Sequence, residues 1–213
     1  VKCRINHFGN NKQIEVARDA ESYRKPVAGG LRAAFVKHIK ANSFNMKRIE
    51  EHEKHYMKLA LELAAVAAQN GDSPVGAVIV LDGAILGTGF NSMERLKDPT
   101  AHAEILAIRE AAKSMSDWRL PGATIYATLE PCVMCAGALI HARVKRVVFG
   151  ARDLKWGGLG SLFDFSHDPR INHELEVISG IMERESAALL QSFFRTIRTG
   201  SPDTSAASEY PAR

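Results

Sequence analysis

The chain has 213 residues, with 28 Lys and Arg against 24 Asp and Glu and a formal net charge of +4. That length suits one domain of ordinary size with extensions. No apolar run approaches the roughly 18 residues of a membrane helix, and three cysteines are too few for a disulfide framework. Neither a membrane-spanning helix nor a disulfide-stapled scaffold is indicated. The opening residues carry no apolar stretch followed by a small-residue cleavage site. The thiols read as metal or redox chemistry in a reducing compartment, and the expected location is cytoplasmic.

The charge is unevenly placed. Residues 1–45 hold nine Lys and Arg against three Asp and Glu, which leaves nineteen against twenty-one for residues 46–213. Global charge is thus poor evidence for a nucleic-acid partner. A local basic cluster (Arg143, Lys145, Arg146, Arg152, Lys155) is better evidence, since such a patch beside a site holds phosphates; a solvated strand edge is its plainer reading.

Residues 1–45 show weak periodicity and a Pro26 to Gly30 break, and Met46 stands as a plausible initiator directly before the first strong helix. They are expected to form a poorly ordered basic extension. From about 48 to 69 a helical stripe runs through Tyr56, Leu59, Ala60, Leu63, Ala64 and Ala67, ended by Asn70-Gly71. Val75–Leu81 and Ala84–Phe90 read as strands joined by Asp82-Gly83, a strong hairpin signal because a type I′ turn needs positive φ at both positions. After Asp98-Pro99-Thr100, with Thr100 a candidate cap, a helix is expected to about Met115. Pro121-Gly122 leads into a strand over Ala123–Leu129. Pro131 suits the first turn of a helix reaching about Ala142. Val144–Phe149 reads as a strand, followed by a loop with Gly157, Gly158 and Gly160. A short strand near Leu175–Ile178 precedes an amphipathic helix from about Glu183 to Arg198. Residues 200–213 read as a disordered tail. The order predicts an α/β domain over residues 46–199, with a mixed sheet of about five strands and helices on both faces. Its Ala123–Phe149 unit should be parallel and right-handed.

The chemistry concentrates in His102-Ala103-Glu104 and Pro131-Cys132-Val133-Met134-Cys135. A structural zinc site takes four protein ligands; a catalytic one takes three and leaves a position for water. His102, Cys132 and Cys135 supply three, and Glu104 is then free to move protons. This H-x-E…P-C-x-x-C pattern is an established signature of zinc-dependent base deaminases. His102 and Glu104 fall near the start of one predicted helix, Cys132 and Cys135 near the start of another, and residues i and i+3 share a face. Two helix N-termini favour thiolate over thiol, and hydroxide over water at zinc. Glu104 can accept the water's proton and deliver it to a ring nitrogen and then to leaving ammonia. Two plainer readings stand beside this one. The cysteines can form half of a closed structural site with His102 and His141, or a redox dithiol opening a helix. His52, His55, His167 and His173 read as surface or core residues, and Cys3 as incidental.

The stretches Asp98–Glu104, Leu129–Ala138 and Val147–Asp153 closely resemble bacterial tRNA-specific adenosine deaminases, a branch of the cytidine deaminase superfamily. The likeness runs over about residues 50–198, including Pro74–Val78 and Phe193–Arg195, and leaves the N-terminal extension outside. It implies a three-layer α/β/α cytidine-deaminase-like fold, a homodimer, one zinc ion per chain, and conversion of adenosine to inosine at the wobble position of a tRNA anticodon stem-loop. It further implies that His102, Cys132 and Cys135 bind zinc and that Glu104 is catalytic. By the same resemblance Asn91 binds the flipped base, Asp153 contacts ribose or backbone, Lys155 contacts phosphate, and Phe194 and Arg195 help hold the anticodon loop. Trp156 departs from the pattern, putting a bulky ring where a small or polar residue is expected; it either stacks on a base or packs against a neighbouring subunit. Deamination of a free base, nucleoside or nucleotide (guanine, cytosine or dCMP) needs the same zinc chemistry and is the alternative within enzymes. A non-catalytic zinc-stabilised RNA-binding subunit is the alternative outside them, and the presence of Glu104 speaks against it.

Overall fold

The computed structural model describes residues 51–199; the expected extension over residues 1–45 and tail over 200–213 lie outside the described residues. Residues 51–69 form the described part of the first helix, α1, which buries Tyr56, Met57, Ala60, Leu61, Ala64 and Ala67. Gly71, at φ +79, ends it in the left-handed conformation that a Cβ disfavours. Strands β1 (Gly76–Leu81) and β2 (Ala84–Phe90) pair antiparallel. Asp82 and Gly83 between them both have positive φ, as the predicted hairpin turn requires.

After a one-turn helix α2 (Met93–Leu96) come α3 (Ala103–Met115), β3 (Thr124–Leu129), α4 (Val133–His141), β4 (Arg146–Ala151), β5 (Glu176–Ser179) and α5 (Glu183–Thr199). The five strands lie in the order β2-β1-β3-β4-β5. β1 runs antiparallel to β2 and β3, while β3, β4 and β5 are parallel. This is the mixed five-stranded sheet that the sequence predicts. Strand alternation divides the interior into two apolar layers. Ala77, Ile79, Ile125, Ala127, Val147 and Phe149 pack with α3 and α4 on one face. Val78, Val80, Tyr126 and Val148 pack with Tyr56, Met57 and Ala60 of α1 on the other. An ion pair of 3.3 Å between Arg146 and the buried Glu53 ties α1 to the start of β4.

The site depends on how closely α3 approaches the sheet. Ala103, Ala107 and Ala111, spaced by four, form a smooth stripe facing Gly87 and Gly89 of β2. A Cβ on Gly89 would stand 2.1 Å from the Ala103 carbonyl oxygen, and one on Gly87 2.4 Å from that of Ala107. Only glycine permits this contact, which sets the height of the residue just before α3, His102.

Several boundaries differ from the sequence expectation. Thr100 does not cap α3; its N–H and hydroxyl both donate to Asp98 Oδ1 in a turn, at 2.8 and 2.7 Å, and His102 is the N-cap. Pro131 stands outside the first turn of α4, whose N-cap is Cys132. The fourth strand begins at Arg146 and not at Val144, because its parallel register with β3 pairs Thr124 with Arg146 and Leu129 with Ala151. Helix α2 was not expected: its four residues give no periodicity, and its first N–H groups are satisfied from afar by Asp72, which accepts from Glu94 and Arg95.

Gly89→Ala is expected to destabilise the fold by about 3 kcal/mol, since overpacking against backbone has no side chain that can yield. A lower denaturation midpoint, together with lost metal content as α3 lifts, would be read by chemical unfolding and elemental analysis.

Candidate active site

Because β2 runs parallel to β3 and β4, the carboxyl ends of all three meet at one edge of the sheet. In open α/β sheets ligands bind at such an edge. Asn91 follows β2, Glu130 to Cys132 follow β3, and Arg152 and Asp153 follow β4. The Ser92 N–H donates to the Ala101 carbonyl at 3.0 Å, holding the end of β2 beside the approach to α3.

His102 and Cys132 are both helix N-caps in extended conformation, with φ −71 and −67. Neither side chain caps its own helix, which leaves the imidazole and the sulfur for another partner. They meet: His102 Nδ1 lies 3.6 Å from Cys132 Sγ and 3.5 Å from Cys135 Sγ. All three potential ligand atoms lie within 4.8 Å of one another. Zn–S and Zn–N bonds of ordinary length at a tetrahedral angle separate sulfur from nitrogen by about 3.6 Å. The residues fit a tetrahedral zinc ion. Among the described residues no other His, Cys, Asp or Glu joins the group, so three ligands are present and not four.

The Cys135 thiol and His102 hold Cys132 down to about 4 against the opposing effect of burial. Cys135 is pushed up by Cys132 and by burial, and His102 is raised by Cys132. The cluster therefore holds one thiolate and shared protons that a divalent cation displaces on binding. Glu104, in the first turn of α3, is 3% exposed. Burial pushes its carboxyl up to about 7, and the field of a cation in the cluster works against that shift. The carboxyl touches Cys135 and is not one of the clustered ligands. It stands beside the cluster, placed to exchange a proton with a group bound there.

The other residues fall at graded positions. Asn91 is 4% exposed, its N–H bonded to the Val75 carbonyl at 2.9 Å. Asp153 is half-buried, and its Oδ1 accepts from the N–H groups of Lys155 and Trp156 at 2.9 and 3.2 Å. Lys155 is exposed, and so is Trp156, at 67%. The Val133 N–H donates to the Trp156 carbonyl, and Cys132 bridges to Gly157, which sets Trp156 beside the cysteine turn. Phe194 and Arg195 are exposed past the middle of α5, with Phe193 and Phe194 in edge contact at 5.4 Å.

Residues 50–151 match the family model for the cytidine and deoxycytidylate deaminase zinc-binding region. A tRNA-specific adenosine deaminase of Haemophilus influenzae is 50% identical over 149 residues, which span 70% of this chain and 86% of that protein. One from Bacillus subtilis is 48% identical over 143 residues, 67% of this chain and 89% of that protein. The chain belongs to the tRNA-specific adenosine deaminase family. Among solved structures it resembles a tRNA:A34 deaminase from work on A-to-I editing at the wobble position of transfer RNA, with a TM-score of 0.62 at 46% identity over 64% of this chain and 99% of that one. A guanine deaminase of Nitrosomonas europaea gives a TM-score of 0.56 at 23% identity, covering 66% and 83%; that likeness is one of fold. The deaminase family is zinc-dependent, and one ion per chain fits the cluster. A closed structural site is ruled out because His141 sits exposed in the last turn of α4, away from the other ligands. The redox reading leaves the matched imidazole and the buried Glu104 without a purpose.

Glu130 is the residue that the sequence reading named only as part of a motif. It is 1% exposed and accepts hydrogen bonds from Asp153 N, Leu159 N and Ser161 N, at 3.1, 3.1 and 3.0 Å, and from the Ser161 hydroxyl. The available signal is an acid placed between the end of β3 and the Pro-Cys turn.

Cys135→Ala or His102→Ala is expected to weaken zinc binding at least about 100-fold, beyond the loss typical when only a supporting partner is removed. Zinc per chain, measured after dialysis against a competing chelator, checks this.

Proposed function

We propose that this protein hydrolytically deaminates adenosine to inosine at the wobble position of a tRNA anticodon. The observation that carries the reading is a buried, unligated carboxyl, Glu104, beside a three-ligand His–Cys–Cys cluster. In a chain of this family that arrangement fits a metal-assisted hydrolase and not a structural zinc knot.

His102, Cys132 and Cys135 hold the zinc, which supplies the Lewis acidity that makes water nucleophilic near neutral pH. Glu104 takes a proton from the attacking water and passes one to the purine ring nitrogen as carbon 6 is attacked. It then returns a proton to the departing amine, so that adenosine and water become inosine and ammonia. Asn91, nearly buried at the end of β2, hydrogen-bonds the base edge and orients it. Asp153 keeps Oδ2 available for ribose or backbone while its Oδ1 holds the turn. Lys155 meets phosphate, and Phe194 and Arg195 hold the anticodon loop.

An unpaired loop base enters such a pocket with little unstacking cost, whereas a duplex purine cannot be reached. The rim carries exposed Val133, Met134, Leu154, Trp156, Leu162 and Phe163, an apolar surface that supports a homodimer with the site near its interface. The free thiols of Cys132 and Cys135, read as metal ligands, suit a reducing compartment and support a cytoplasmic location; among the described residues no helix is long and apolar enough to cross a membrane.

Purified protein incubated with an anticodon stem-loop carrying a wobble adenosine should form inosine by mass spectrometry, with free adenosine and guanine turned over far more slowly. Equal turnover of the free compounds would replace the RNA substrate with a small molecule. Glu104→Gln should lower inosine formation by about 10² to 10⁴-fold while zinc content and stem-loop binding persist. Full activity in that variant rules out the proton shuttle.

A further inference from the structure

We propose that Glu130 is a positioning residue that fastens the substrate-contacting loop, residues 153–161, to the cysteine turn. The proposal rests on the functional reading above, in which Asp153 and Lys155 meet the nucleic acid. Glu130 directly follows β3 and directly precedes Pro131 and Cys132, so its backbone moves with a zinc ligand. Its side chain is spent wholly on the other loop. Oε1 accepts from Leu159 N and Ser161 N; Oε2 accepts from Asp153 N and the Ser161 hydroxyl. Four donors on one buried carboxyl leave no room for water and no freedom to turn, and hydrogen bonds to an ionised acceptor are the stronger kind.

Two further features point the same way. A Cβ on Gly157 would stand 2.6 Å from both Cδ and Oε1 of Glu130, so the loop backbone lies directly on the carboxyl group. The two segments are also laced by main-chain bonds: Gly158 N donates to the Pro131 carbonyl at 2.9 Å, and Val133 N to the Trp156 carbonyl at 3.2 Å. Of these fastenings, the Glu130 bond to Asp153 N alone reaches the residue at the substrate end of the loop. Glu130 therefore sets where the Asp153 carboxylate stands relative to the metal ligands, without touching the reacting atoms.

Glu130→Gln separates this role from general scaffolding. A glutamine has one acceptor oxygen; the Ser161 hydroxyl can reverse and accept from the new amide, but the Asp153 N–H cannot. The variant, in the full zinc-loaded protein, should keep one zinc per chain and exchange the Asp153 amide hydrogen at least about tenfold faster, the consequence of losing a bond to a charged acceptor. KM for the anticodon stem-loop should rise by a similar factor with kcat within about threefold, since an interaction with remote substrate is lost and the proton shuttle is not. Ser161→Ala, which removes one donor and leaves Oε1 bound by both N–H groups, should move exchange and KM in the same direction by less. Unchanged exchange and KM in both variants would overturn the proposal, and so would loss of zinc or of kcat at constant KM, which would tie Glu130 to the metal turn. If Glu130→Gln does not fold, Ser161→Ala alone decides by the same readouts. Wild-type protein that forms no inosine would sink the functional reading instead, and amide exchange still reports on the fastening independently of turnover.

Discussion

Placing one imidazole within bonding range of two sulfurs from a different strand demands that two helices start at the same height above one sheet edge. The contact that achieves this is the close approach of α3 to β2 over Gly87 and Gly89. An alanine stripe on the helix and bare backbone on the strand let the two meet without intervening side chains. His102, the N-cap, is then carried to the level of Cys132, the N-cap of α4, which follows β3 on the far side of β1. Metal binding at such a site is coupled to folding: a shift of α3 of the size of one methyl group separates Nδ1 from the sulfurs. The small residues of this face thus contribute to chemistry through distance and not through contact with substrate.

The two buried glutamates at this edge show how environment divides the work of like groups. Glu104 is surrounded by few donors and by the cluster, and desolvation raises its pKa toward neutrality. A carboxyl so held changes protonation readily, which a proton carrier must do. Glu130 is enclosed by four donors drawn from one loop. Such a group is held in one geometry, which suits an anchor. Burial is nearly the same for both; the hydrogen-bond complement separates them.

The sequence made the metal cluster and its acid legible, because helix-start spacing and ligand chemistry are local: two residues from His102 to Glu104, three from Cys132 to Cys135. The five-strand order of elements was equally readable from alternation and turn residues, with Asp82-Gly83 the clearest case. Thr100 resembles a cap by type, but Asp98, two residues before it, takes its donors. The other differences lie where partners are distant. The start of β4 was misplaced because pairing with Thr124, and not the apolar run from Val144, fixes it. Helix α2 depends on Asp72, 22 and 23 positions before the residues whose N–H groups it accepts from. Glu130 was invisible as an anchor for the same reason: its four bonds go to residues 23 to 31 positions away, and no local period encodes them.

The surroundings of the cluster also constrain what can enter. Cys135 and Glu104 are buried, whereas the side chains beyond them at the rim, Trp156 and Leu154 above all, are exposed. A pocket that served a free base would gain most by enclosing it, because a small ligand has no other surface from which to draw binding energy. Here Cys135 and Glu104 are buried, and the exposed apolar side chains of the cysteine turn and the following loop stand outside them. Binding energy from outside the pocket is available only to a ligand that extends past the reacting base. An anticodon loop, the substrate of the proposed function, does so. Interactions made far from carbon 6 can then offset the cost of splaying the base, which is how remote contacts raise turnover.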